Sequence, residues 1–375
     1  MKLEQIDLYQ IRMPLIAPFE TSFGSKSQRD IILVRAVGDG IVGWGEYAAD
    51  GPGYSYETTQ TGWHILSDYL IPLAFQAPFG DPRECPDRFK RVRGHNFAKS
   101  GLEGAIWDLF AQQAGLSLGQ YIDAGRKIVR DRVVVGVSIG IQPSPEALVE
   151  KIRGFLQYGY LRIKMKIKPG RDIGDARAAR AAFPDRMLMV DANSAYTLKD
   201  APLFQQMDAL GLLMIEQPLG DDDIYEHHKL QRLIQTPICL DESIHTPDHA
   251  RMAIELGACR IINIKQGRVG GLTKAIEIHD LCQAAGIPVW CGGMLETGVG
   301  RALNLALASL PNFTLPSDLS ASNRYYNPDL IDPPFDINTD GTISVPTGPG
   351  IGVSPVEDRL KSVTIRQASY RPGGA

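Results

Sequence analysis

Five residues able to bind ions or move protons recur at nearly constant spacing: Lys166, Asp191, Glu216, Asp241 and Lys265, separated by 25, 25, 25 and 24 residues. Each closes a short apolar run, in RIKMK, MLMVD, LLMIE, PICLD and RIINIK. A single aspartate at the end of a strand is commonly a cap for the following helix. Three carboxylates at the same end of three successive strands repel one another, and burying them is costly unless a cation sits between them. An all-oxygen set suits a hard ion, Mg2+ (or Mn2+), rather than zinc. The lysines then supply acid–base chemistry. A substrate carboxylate held by that ion places its α-carbon between two amines, one removing the α-proton and the other facing the opposite side of the planar enediolate.

General-base work by a lysine at neutral pH requires a lowered pKa. The stretch LRIKMKIKPG offers a cause, because Lys164 and Lys166 share one face of a strand, about 7 Å apart, and like charges disfavour each other. Lys164 is therefore counted with the catalytic residues, and Lys168 is expected beyond them in solvent. These residues are positioned by strands expected at 133–138, 161–167, 187–193, 212–218, 237–243, 259–265, 287–293 and 313–319. Between the strands lie helical stretches such as PEALVEKIRGFLQYG, GDARAARAAFP and LTKAIEIHDLCQAAG. Repeated strand–helix alternation of this kind predicts an α/β fold, a (β/α)8-type (modified TIM) barrel whose carboxyl strand ends form the active face. Lys166 and Lys265 then stand four strands, about 180°, apart. A doubly wound open sheet is the structural alternative, but GxGxxG and GxxxxGK[ST] are both absent.

The chain ahead of the barrel reads differently. Residues 2–13 alternate as a strand, IILVRAVGDGIVGWGEY holds two strands joined by the turn dipeptide Asp39-Gly40, and helices follow. SGLEGAIWDLFAQQAG sets Leu102, Ile106, Leu109 and Phe110 on one stripe and stops at Gly115, as an amphipathic helix does. We therefore expect an α+β capping domain over 1–125, the barrel over 132–322, and a C-terminal segment, 323–375, returning to the cap. A balance of 39 Lys+Arg against 43 Asp+Glu, with no basic block, argues against nucleic acid. No apolar run is long enough to span a membrane and the N-terminus lacks a signal-peptide core, so a cytoplasmic protein is expected. Five scattered cysteines without CxxC spacing support neither disulfides nor zinc and are expected as buried thiols.

The Lys-x-Lys strand, the Asp/Glu/Asp series and the later lysine resemble the enolase superfamily, in its muconate lactonising enzyme-like subgroup. The likeness runs from PFETSFGS through RIKMKIKPG, VDANSAYTL, IEQPL, CLDES, INIKQGRVGG and WCGGMLETGVGRALNLALASLPNFTLP to SDLSAS. These blocks are similar to the branch of o-succinylbenzoate synthases and N-succinylamino acid racemases. The resemblance implies metal ligands at Asp191, Glu216 and Asp241 and an acid/base pair at Lys166 and Lys265, with Asn193 and Glu242 in the polar surroundings. It also implies a substrate pocket lined by Ser138, Gly293, Met294 and Leu295, with Phe19, Ser22, Phe23 and Tyr54 on two closing cap loops. Packing within the cap is the plainer role for those four. Family members are commonly homo-oligomers acting on a small-molecule carboxylate.

Both branch reactions start beside a metal-bound carboxylate, so the core residues do not separate them. Arg268, three residues after Lys265, resembles the racemase members, and a cation there could tune Lys265; a salt bridge to the cap or a neighbouring helix is its structural alternative. Racemisation of N-succinyl amino acids, with synthase activity as a second capacity, is the favoured expectation. A dedicated synthase comes next. Dipeptide epimerases resemble one another in an Asp-x-Asp pair on the last barrel strand, whereas this chain has Ser317-Asp318-Leu319-Ser320. A noncatalytic carboxylate-binding barrel is the remaining expectation, and two lysines in base-competent positions argue against it.

Overall fold

The computed structural model describes residues 1–22, 24–49, 51–123 and 130–373. The chain begins with a long antiparallel hairpin, β1 (Leu3–Thr21) against β2 (Gly24–Gly38), with Phe19 opposite Lys26 near its tip. β2 turns into β3 (Ile41–Tyr47) through Asp39 and Gly40 at φ 49° and 74°, the left-handed pair that a tight type I′ hairpin needs. The helix Asn96–Gln113 lies on β3 so closely that a Cβ on Gly43 or Gly45 would come within 2.3 Å or 2.1 Å of its carbonyls, which only glycine permits.

This helix overturns the expected amphipathic stripe. Every residue from Phe97 to Ala111 is buried, because the helix is clamped between the cap sheet and the barrel. Glu103 on its barrel side accepts from the Thr273 backbone N–H (2.8 Å) and hydroxyl (2.6 Å).

The barrel follows as seven parallel strands in sequential order: β5 (Gly136–Ile139), β6 (Arg162–Lys166), β7 (Met187–Asp191), β8 (Ile215–Glu216), β9 (Ile238–Leu240), β10 (Ile261–Ile264) and β11 (Val289–Cys291). Two strand expectations need correction. The stretch 133–138 is not one strand: β4 (Arg132–Val134) pairs antiparallel with β12 (Thr342–Ser344), and the chain enters the barrel at Val135, just before β5 begins at Gly136. The eighth segment, 313–319, forms no regular strand. It closes the ring through isolated parallel bridges, Phe313 to Val289 and Ser317 to Val135, because Pro316 in its middle has no N–H to give a ladder.

The helix boundaries are set by local chemistry. Ser144 caps Pro145–Tyr158, which stops at Gly159 with φ 117°, and Thr246 caps Pro247–Leu256, which stops at Gly257 with φ 65°. β13 (Thr364–Tyr370) returns to pair with β1 in the cap sheet. Among the described residues no helix is long and apolar enough to cross a membrane. All five cysteines are buried free thiols.

Candidate active site

Strand alternation sends every second residue of β6 to β11 into the barrel. The inner floor is a small apolar cluster, Met189, Met214, Cys239, Ile261 and Trp290. Above it the inward positions turn ionic. Lys166 pairs in register with Asp191, and Asp191 with Glu216, so adjacent strands deliver their charges at one level. Asp191, Glu216 and Asp241 are each 0% exposed.

The lysines meet these carboxylates directly. Lys166 Nζ lies 2.6 Å from Asp191 Oδ2 and donates to Asn193 Oδ1 at 2.7 Å. Lys265 Nζ lies 2.6 Å from Asp241 Oδ2 and touches the Tyr54 hydroxyl. Arg268 takes the other oxygen of Asp241 and reaches the Tyr54 hydroxyl at 2.5 Å. It thus makes both the ionic contact with the Lys265 partner and the contact with the cap.

Lys164 sits deeper than its sequence neighbour suggests. Its amine is surrounded by Asp318 (2.5 Å), Glu216 (3.0 Å) and Asp191 (3.3 Å). Burial opposes its charge, but Asp318, then Glu216 and Asp191, hold the ammonium above the usual lysine range. Lys168, expected in solvent, is half-buried and lies 3.3 Å from Glu20 near the tip of the cap hairpin.

Electrostatics among the carboxylates follow from burial and spacing. Burial, then the charge of Asp191, pushes the Glu216 carboxyl well up. At Asp241 burial works the same way, yet Arg268 and then Lys265 bring its carboxyl below the ordinary range. Among the described residues no group of three His, Cys, Asp or Glu side chains is arranged to hold a metal ion, since each of the three carboxylates is turned towards a cation. The donor set itself fits a hard dication: three buried carboxylates on neighbouring strands, with the buried Glu242 Oε2 beside them lacking a hydrogen-bond partner.

Backbone strain gathers here as well. Asn193, Ser194, Gln217 and Leu295 all have positive φ, at 42°, 65°, 36° and 58°. Gln217 uses its conformation to brace the site, its Oε1 accepting from the backbone N–H groups of Asp241 (3.0 Å) and Ser243 (3.3 Å).

Residues 5–122 match the mandelate racemase / muconate lactonizing enzyme N-terminal domain, and residues 147–359 match the enolase C-terminal domain-like family. The chain belongs to the enolase superfamily. It is 52% identical over 352 residues to an o-succinylbenzoate synthase of Geobacillus kaustophilus, covering 93% of this chain and 92% of that one. It is 48% identical over 366 residues to an N-succinylamino acid racemase of an Amycolatopsis species, covering 97% and 98%. The crystal structure of an enolase superfamily member from Listeria innocua matches with a TM-score of 0.95 at 39% identity over 100% of both chains. Enzymes of this family depend on a divalent metal ion.

In this superfamily barrel one cavity of about 630 Å³ of atom-free space, open solvent included, lies between cap and strand ends. Of the residues expected at the site, it is lined by Phe19, Tyr54, Ser138, Lys164, Lys166, Lys265, Gly293, Met294 and Leu295. Ser138 Oγ is buried there without a hydrogen-bond partner. Asp191, Glu216, Asp241, Asn193, Glu242 and Arg268 stand behind that wall; Asn193 Nδ2 donates to Glu242 Oε1 at 2.7 Å. Ser22 does not line the cavity but donates to the Asn193 carbonyl at 3.5 Å. Phe23 lies outside the described residues.

Sequence reasoning missed several members. Asp318 joins Lys164 to the fully buried Arg162, whose guanidinium lies 2.7 Å from Asp318 and over the Trp290 ring. Asn263 donates to Glu216 at 2.8 Å. The period of two was the available signal, since Arg162 precedes Lys164, and Asn263 precedes Lys265, by two residues on the same strand face. Lys26, Thr21 and Tyr325 also line the cavity and carried no such signal.

Proposed function

We propose that this enzyme racemises N-acyl amino acids, N-succinyl derivatives foremost, by two-base proton transfer at the α-carbon through an enediolate, with o-succinylbenzoate synthase activity as a second capacity. One observation carries the reading: Lys166 and Lys265, four strands apart, line a single cavity, with Asp191, Glu216 and Asp241 on the three strands between them. Asp191, Glu216 and Asp241 would hold a Mg2+ or Mn2+ ion, which when bound supplies stabilisation of the negative charge that develops on the substrate carboxylate. A substrate whose carboxylate points at this cluster offers one face of its α-carbon to each amine. Lys166 accepts the proton from one enantiomer while Lys265 delivers a proton to the opposite face, and the roles exchange for the other enantiomer. Tyr54 covers the Lys265 side and helps exclude water.

Relatives of comparable identity carry both names, synthase and racemase, which supports a chain competent in both reactions. A dipeptide substrate is disfavoured. Asp318 is already held by Arg162 and Lys164, and position 320 is serine, so no aspartate pair is available for a free ammonium.

The test is solvent-deuterium exchange by NMR on each pure enantiomer of an N-succinyl amino acid. Lys166→Ala and Lys265→Ala should each lose racemisation in both directions, yet each should exchange the α-proton of one enantiomer, with opposite preferences. Substantial racemisation by either single variant would refute the two-base assignment.

A further inference from the structure

Of residues 51–57 in the cap, only Tyr54 lines the reaction cavity. Its hydroxyl donates to Asp241 Oδ2 at 3.0 Å and accepts from Lys265 and Arg268. The same side chain also lines two outer cavities, of about 990 Å³ and 520 Å³ of atom-free space, open solvent included. Tyr54 is therefore a wall between the reaction cavity and water. Whatever holds it in place keeps the Lys265 side closed.

Little inside the loop does so. Pro52 and Gly53 at its apex are exposed, and the Tyr54 and Ser55 N–H groups both turn to the Gly51 carbonyl, at 3.1 and 2.9 Å. Glu57 fixes the end of the loop within the cap, on the Phe97 and Ala98 N–H groups. The attachment to the barrel beside Tyr54 is Tyr56. Its ring lies against that of His245, with centroids 5.3 Å apart, and its hydroxyl stands 2.6 Å from Asp222 Oδ1 and 3.0 Å from Asp221 Oδ2. A phenol has one proton to donate, so the two carboxylates share it, and each bond is charge-assisted. The ring is 65% exposed and buries little surface, which leaves the hydroxyl as its main hold. The receiving loop is firm on both sides of the aspartates. Gln217 Nε2 donates to the Gly220 carbonyl at 3.0 Å, and Ser243 Oγ donates to the Asp223 carbonyl at 2.9 Å.

We propose that Tyr56 is a positioning residue that clasps the cap loop to the loop after β8, holding Tyr54 on Lys265 and setting how readily the site opens. Tyr56 does not line the reaction cavity and acts through Tyr54. The inference rests on the reading of Lys265 as a base and deepens it.

Tyr56→Phe keeps the ring and removes the clasp. Amide hydrogen exchange over residues 51–57 needs no turnover, and it should quicken roughly three- to tenfold, the worth of one hydrogen bond shared with water, while the barrel strands keep their rates. With Mg2+ and an N-succinyl amino acid, KM should rise by about the same factor and kcat stay within about twofold, because a smaller closed fraction weakens apparent binding until substrate itself completes the closure. In an Asp221→Ala/Asp222→Ala background the clasp is already gone, so adding Tyr56→Phe should change neither readout further. Unchanged loop exchange in Tyr56→Phe overturns the proposal. So does an effect of Tyr56→Phe that is as large without the two aspartates as with them, or a loss confined to kcat. If the wild-type enzyme racemises neither enantiomer, the racemase reading itself falls, and loop exchange still decides the clasp.

Discussion

Replacing Glu57 by glutamine isolates one buried charge in the link between the cap loop and the barrel. The Glu57 carboxylate accepts from the backbone N–H groups of Phe97 (2.8 Å) and Ala98 (3.1 Å), the first residues of the Asn96–Gln113 helix. The helix has no side-chain cap of its own at His95, so Glu57 caps it from a distance and anchors the loop that carries Tyr54 to Lys265. Two effects compete at this carboxyl. Backbone donors and the helix N-terminus favour the anion, while burial, at 4% exposure, disfavours it. Burial prevails and pushes the group from 4.5 up to about 7. The folded state therefore holds this proton more tightly than the unfolded chain does. Its stabilising contribution is fully present below about pH 4.5 and is lost as pH rises to about 7. A shift of 7 − 4.5 = 2.5 units at about 1.4 kcal/mol each corresponds to about 3 kcal/mol. Glutamine does not titrate, and it keeps one of the two acceptor oxygens, since Phe97 N–H donates to Oε1 and Ala98 N–H to Oε2; the lost acceptor costs about 1 kcal/mol at any pH. Urea unfolding of both proteins should give a variant about 1 kcal/mol less stable near the lower limit, and the difference should move by about 3 kcal/mol in the variant's favour by about pH 8. A difference that does not change with pH, or one that moves in favour of wild type as pH rises, would refute the reasoning.

Two further outcomes are expected. Chelation should abolish turnover and added Mg2+ or Mn2+ should restore it, because three fully buried carboxylates on adjacent strands make an all-oxygen donor set; full activity in exhaustively metal-free protein would remove the ion from the proposal. Arg268→Ala should depress racemisation on the order of tenfold more than o-succinylbenzoate formation, since Arg268 shares Asp241 and Tyr54 with Lys265; equal losses in both reactions would make it a structural residue.

The catalytic skeleton was legible because a barrel repeats. One strand and one helix occupy about 25 residues, so a side chain at the carboxyl end of each strand recurs at that interval in Lys166, Asp191, Glu216, Asp241 and Lys265. What escaped depends on closure of the ring or on the approach of a second layer. Asp318 reaches Lys164 only after the proline-interrupted last segment meets β5. Lys26 reaches the cavity only because the hairpin crosses the barrel mouth, where the Glu20 carbonyl accepts from the Ile141 N–H at 3.2 Å. The Asn96–Gln113 helix was misread for a related reason: a stripe of large apolar residues records one buried face, while Gly101, Gly104 and Ala105 conceal the others by their smallness.

Charge balance links the barrel cluster to the proposed substrate. Arg162, Lys164, Lys166, Lys265 and Arg268 are packed among Asp191, Glu216, Asp241 and Asp318, with Glu242, pushed up to about 7 by burial and then Asp241, beside them. In so dry a region an unbalanced charge costs several kcal/mol, so additions to the site must nearly cancel. A dication would add two positive charges. An N-acyl amino acid with a neutral acyl chain returns one negative charge, whereas an N-succinyl derivative returns two. The requirement that pairs Lys164, Lys166 and Lys265 with carboxylates therefore favours, for the proposed reaction, the dianionic N-succinyl substrate over one with a neutral acyl chain.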